Sequence, residues 1–149
     1  MARKRKGKYR SQLERDVAKI LRDCKVPFVY EKEAFKYEIV TPLNNTSCGE
    51  CGSTRIVTKR TYTPDFFIPV GHGTVCILEA KGRFTAQDRN KMLAVKDQYP
   101  QQRFLMVFQR NNPIYRGSKT KYLDWCGAKG LEAIMVTSLK EWLKDEGLR

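Results

Sequence analysis

Residues 62–81 read YTPDFFIPVGHGTVCILEAK, and no other stretch limits the fold as strongly. Two apolar runs, FFIPV and TVCIL, flank a Gly-His-Gly turn, the pattern of a buried β-hairpin. Pro64 pushes Thr63 into an extended conformation and presets φ at the entry to the first run. Side chains alternate along TVCILEAKG, so Val75, Ile77, Glu79 and Lys81 share one face while Cys76, Leu78 and Ala80 share the other. Asp65 precedes the first run, and a short hairpin would bring its carboxylate to that of Glu79. Two carboxylates and the Ala80 carbonyl suit a hard cation such as Mg²⁺, with Mn²⁺ an expected substitute. Lys81 beside them can orient a water or stabilise charge on a phosphate. The competing reading is a Glu79–Lys81 ion pair at a sheet edge, worth little, with Asp65 as a turn residue.

Charge separates the two. The formal net charge of +13 on 149 residues attracts polyanions, nucleic acid foremost. Six basic residues (Arg3, Lys4, Arg5, Lys6, Lys8 and Arg10) crowd the first ten positions without an acid. Residues 1–10 are expected to be a flexible basic arm that tracks phosphates, against the alternative of a solvated terminus. The arm has no apolar core, so a secretory leader is not expected, and no apolar stretch is long enough to span a bilayer. Five cysteines without a leader imply a reducing, cytoplasmic setting and no disulfide framework, which leaves the sequons at Asn44 and Asn45 without consequence.

Downstream of the arm, Leu13, Val17, Ile20, Leu21 and Cys24 form the stripe of an amphipathic helix, with Ser11 and Glu14 as a capping box. PFVYEKEAFKYEIV reads as one strand, TPLNNTSCGECGST as a loop and RIVTKRTYT as a strand returning from a long-tipped hairpin. Beyond the central hairpin, a helix capped by Thr85 runs to Pro100, and RFLMVFQ forms a strand. SKTKYLDWCGAKG reads as a helix closed by Gly127 or Gly130, LEAIMVT as a strand, and SLKEWLKDEG as a helix with Ser138 and Glu141 as a second capping box. This order predicts one α/β domain over residues 11–149, with a mixed central sheet flanked by helices, an antiparallel front half and a crossover-connected back half.

Pro64-Asp65, thirteen intervening residues and Glu79-Ala80-Lys81 match the PD-(D/E)xK nuclease motif, whose site is a hairpin of this kind. More specifically, YRSQLERDVAKIL, VPFVYE, TYTPDFFIP, LEAKGRF, DRNKMLAVKDQYP and YRGSKTKYLDWC resemble, in order and spacing, the phage endonuclease I family of Holliday-junction resolvases. The resemblance covers most of residues 9–126. It implies a restriction-endonuclease-like core, an intertwined homodimer and metal-dependent cutting of branched DNA such as four-way junctions. It also implies catalytic roles for Glu14, Asp65, Glu79 and Lys81, with Asp65, Glu79 and the Ala80 carbonyl on one or two Mg²⁺ ions and Glu14 assisting through water. Without the family Glu14 would read as a helix cap. A nuclease of other specificity, of restriction or nicking-repair type, or a non-catalytic DNA-binding protein are the alternatives.

One loop departs from the family. Cys48 and Cys51 in SCGECGS have zinc-knuckle spacing, but only half a site is present. A Zn²⁺ shared across a dimer, a redox-sensitive thiol pair and two incidental thiols all fit the pattern; Cys24, Cys76 and Cys126 read as core residues. Arg83, Arg89, Lys91, Lys119 and Lys121 flank the active strand and are candidate phosphate contacts, each with a solvated face as the alternative. Trp125 and Trp142 read as core residues.

Overall fold

A computed structural model describes residues 7–42, 55–71 and 73–148. Arg3, Lys4, Arg5, Lys6, the Cys48/Cys51 loop and His72 lie outside the described residues. Helix α1 (Gln12–Asp23) starts where the Ser11 hydroxyl accepts the Glu14 amide at 3.1 Å, and it buries Leu13, Val17 and Leu21. Burial of each such side chain contributes roughly 1.5–3 kcal/mol.

The segment expected to be a single strand is two. Strand β1 (Val29–Tyr30) ends at Glu31, whose φ of 51° breaks the extended run, and β2 (Phe35–Pro42) leaves in a new direction. The break is fixed by the Glu31 amide, which donates to the Asp65 carbonyl at 2.9 Å. β2 pairs antiparallel with β3 (Arg55–Tyr62), and these form a two-stranded ribbon separate from the main sheet. The front half is therefore not one continuous meander.

β4 (Phe66–Val70) and β5 (Thr74–Lys81) make the predicted hairpin, with Val70 opposite Thr74 and Gly73 at φ 76°, a conformation that favours glycine. Helix α2 (Ala86–Gln98) follows with a Thr85–Asp88 capping box, then β6 (Arg103–Phe108), helix α3 (Tyr122–Ala128), β7 (Glu132–Met135) and helix α4 (Leu139–Asp145). The α3 segment is shorter than predicted, because residues up to Lys121 are held outside the helix by a bridge between Pro113 and Lys121. The box expected at Ser138 and Glu141 is not made: Ser138 already has a helical backbone (φ −96°, ψ −4°) and its hydroxyl caps nothing.

Among the described residues, the main sheet runs β1-β4-β5-β6-β7, antiparallel through β5 and parallel from β5 to β7. This is the mixed α/β arrangement predicted. β5 and β6 are buried on both faces, which explains their nearly unbroken apolar sequences. One core packs α1 and α4 on Phe66, Ile68, Leu78, Leu105 and Val107. The other packs α2, α3 and the base of the ribbon on Phe67, Ile77, Phe104, Met106 and Phe108.

Candidate active site

The register of the hairpin sets the site. Phe66 lies opposite Leu78, and one step further along the same antiparallel ladder puts Asp65 across from Glu79. The side-chain period of two then directs both to the same face. Asp65 is held there by the Ala80 amide, which donates to its Oδ2 at 2.8 Å. Both carboxylates are buried, Asp65 at 6% exposure and Glu79 at 5%.

Burial, followed by the neighbouring Glu79 charge, raises the Asp65 pKa from its ordinary 3.8 to about 7. Burial also pushes Glu79 up, opposed by the hydrogen bond from Tyr62 and by the Lys81 charge. Without a cation, the pair therefore retains a proton at pH values where surface acids have lost theirs. Tyr62 Oη donates to Glu79 Oε2 at 2.7 Å, leaving Oε1 facing Lys81 Nζ at 3.7 Å.

Burial alone would lower the Lys81 pKa, but the Glu79 and Asp88 carboxylates outweigh it and the net shift is upward. Asp88 Oδ1 lies 3.3 Å from Lys81 Nζ, while its Oδ2 accepts the Thr85 amide at 3.0 Å. One carboxylate thus caps α2 and holds the lysine.

Glu14 arrives from the first turn of α1. Its carboxylate accepts the Arg10 amide at 3.0 Å, the Ser11 hydroxyl at 3.1 Å and Tyr30 Oη at 2.6 Å. The expected reach to the Ser11 amide is replaced by one to Arg10, so Ser11 caps the helix while the Glu14 carboxylate faces the cleft. Glu14 lines the same cleft of about 320 Å³ as Arg10, Asp65, Glu79, Lys81 and Lys91. Among the described residues, no three His, Cys, Asp or Glu side chains form a group that could hold an ion together, while the Glu14 charge is still felt at Asp65.

The basic residues divide by location. Arg10 and Lys91 line the cleft; Arg10 also pairs with Glu31, and Lys91 Nζ lies 5.0 Å from the Tyr62 ring centroid. Lys8 is exposed above Tyr9. Arg83, Lys119 and Lys121 are exposed outside the cleft. Arg89 donates to the carbonyls of Phe84 and Ile114 at 2.9 and 3.0 Å and lies over Trp125, so its guanidinium ties loops together. Sequence reasoning missed Tyr30, Tyr62 and Asp88; only Asp88 left a readable trace, as the acid three residues after the Thr85 cap.

Two opposed carboxylates and a lysine at the end of a buried hairpin, with a third acid from α1, define an acid–lysine cleft. The sequence profile of the phage endonuclease I family matches residues 50–148, a span that holds Asp65, Glu79 and Lys81. Endonuclease I of Escherichia phage T7 is 31% identical over 140 residues, covering 93% of this chain and 80% of that protein. Endodeoxyribonuclease 1 of Enterobacteria phage T3 is 31% identical over 142 residues, covering 92% and 80%. The solved protein VC1899 of Vibrio cholerae overlays on 92% of this chain and 33% of its own, at a TM-score of 0.44 and 16% identity, a likeness too loose to bear on function. The chain belongs to the phage endonuclease I family.

Proposed function

We propose that this chain is a metal-dependent, structure-selective endodeoxyribonuclease of PD-(D/E)xK type that cuts branched DNA, four-way junctions foremost. The observation that carries this reading is the convergence of Asp65 and Glu79 at the hairpin mouth, beside Lys81 and in a cleft lined by basic residues. The donor set suits Mg²⁺ or Mn²⁺: two carboxylates that burial makes reluctant to ionise alone, with the Ala80 carbonyl as a third oxygen. Mg²⁺ keeps several waters, which fits a site with two close acids and Glu14 at one remove. When bound, such an ion lowers the pKa of a water and neutralises charge developing on the scissile phosphate.

The protein side chains supply the rest. Asp65, fixed by the Ala80 amide, and Glu79, fixed by Tyr62, present preset oxygens rather than mobile ones. Lys81, held between Glu79 and Asp88, donates to the attacking water or to a phosphate oxygen. Glu14 orients water from the helix side. Arg10 and Lys91 border the cleft and attract the phosphate backbone. A homodimer, intertwined as in the family, would bring two such sites to one junction, so that two strands are cut symmetrically. The setting proposed is the host-cell cytoplasm; among the described residues no helix is long and apolar enough to cross a membrane.

The test is incubation with Mg²⁺ and a synthetic four-way junction, a linear duplex or a single strand. Preferential, paired cutting of the junction that is lost in Glu79→Gln and Asp65→Asn is the expected result. Equal cutting of duplex would make the chain a nuclease of other specificity, and junction binding without cleavage would make it a binding protein.

A further inference from the structure

Each glutamate of the cleft accepts a short hydrogen bond from a tyrosine, but the two are not equally dependent on it. The Glu14 carboxylate has the Arg10 amide and the Ser11 hydroxyl besides Tyr30. The Glu79 carboxylate accepts a 2.7 Å hydrogen bond from Tyr62 Oη, its one side-chain hydrogen bond among the described residues; the Asp65 backbone also bonds it, and its other oxygen faces Lys81 at 3.7 Å. Tyr62 is itself closely held. It is 2% exposed, its ring stacks with Phe35 at 6.4 Å between centroids, and Lys91 Nζ lies over its face at 5.0 Å. A buried carboxylate oxygen held by a fixed side-chain donor depends on that donor for its orientation, because losing the bond leaves the oxygen without its partner in a dry site.

We propose that Tyr62 is the positioning residue for Glu79: its hydroxyl occupies Oε2 and thereby turns Oε1 toward the cation and the lysine. The inference rests on the reading of Glu79 as a metal-holding acid. Tyr62 lines the cleft, and the role assigned to it acts on the reaction through the carboxylate. Outer partners of metal ligands generally change metal affinity or activity by 10- to 100-fold when removed.

The experiment measures Mg²⁺ binding by calorimetry without DNA, and Mg²⁺ half-saturation, kcat and KM with a four-way junction. Tyr62→Phe is expected to weaken Mg²⁺ binding and lower kcat by about 10- to 100-fold with KM for the junction kept. Phe35→Leu removes the ring packed on Tyr62 but no hydrogen bond, and is expected to lower the melting temperature with Mg²⁺ half-saturation unchanged. In a Glu79→Gln background, Tyr62→Phe should add no further loss of Mg²⁺ binding.

Wild-type Mg²⁺ binding and kcat in Tyr62→Phe would overturn the inference. An equal shift in Phe35→Leu would do so too, as would a full additional loss on top of Glu79→Gln. Failure of the underlying reading looks different: the wild-type protein itself would show no Mg²⁺-dependent cleavage.

Discussion

Replacing Asp65 by asparagine removes one of two buried charges and keeps the shape, because the amide oxygen can still accept the Ala80 N–H. The Asp65 pKa rises on folding from 3.8 to about 7, through burial first and Glu79 second. A group whose folded pKa is raised stabilises the fold in its protonated form. That contribution is complete below about pH 4 and disappears as pH climbs through 7. At roughly 1.4 kcal/mol per pH unit, the loss between pH 4 and pH 8 is on the order of 4 kcal/mol, shared with Glu79 because the two carboxyls titrate together. Asparagine does not titrate, so Asp65→Asn is expected to lie within about 1 kcal/mol of wild type near pH 4.5 and exceed it by a few kcal/mol at pH 8 in EDTA. Urea unfolding of both proteins at four pH values between 4.5 and 8 measures the difference. Added Mg²⁺ should then restore wild type by about 1.4 kcal/mol at ten times its dissociation constant, and leave the variant unmoved. Curves for the two proteins that stay parallel from pH 4.5 to 8 would show that Asp65 is not held in a costly site, and the argument for a preset cation site would fall with them.

Further outcomes follow from the same geometry. Because a cation must expel the proton held by the Asp65–Glu79 pair, apparent Mg²⁺ affinity is expected to rise between pH 6 and pH 8. A calorimetric titration series in that range checks it, and constant affinity speaks against the shift. Glu79→Gln should lower cleavage by about a hundred- to a thousandfold, while junction binding measured by gel shift in Ca²⁺ stays within twofold; loss of binding would make Glu79 a structural residue. Asp88→Ala should cost about 1 kcal/mol through the α2 cap and also slow cleavage, because Lys81 loses its 3.3 Å partner. Destabilisation with full activity would leave Asp88 only the capping role.

The placement of the candidate site residues was legible where one period governed it. Asp65, Glu79 and Lys81 follow from two-residue alternation and the symmetry of a short hairpin, and both survive any reasonable packing. Residues 27–40 were misread because propensity treats them uniformly as strand. The break at Glu31 comes from a left-handed φ held by a hydrogen bond to Asp65, a residue more than thirty positions away. Ser138 carries a capping sequence but already has helical backbone angles, so its hydroxyl is turned away from the job. Tyr62 looked like one more strand aromatic. Nothing in its spacing distinguishes a ring that fills space from one whose hydroxyl steers an acid, since that depends on how the ribbon meets the sheet.

The ribbon of β2 and β3 leaves the main sheet at the break after β1, and its outer face is largely exposed, with Val40, Ile56 and Val57 each at least half open to solvent. Its base is embedded through Phe35, Tyr37 and Tyr62, and the Gln98 side chain of α2 bonds the Glu38 backbone. Mechanically this is a lever with its fulcrum at the cleft: seven exposed residues of β3 lead to the buried Tyr62, whose hydroxyl ends on Glu79. A displacement of β3 is therefore passed to the candidate acid Glu79 through the Tyr62 phenol.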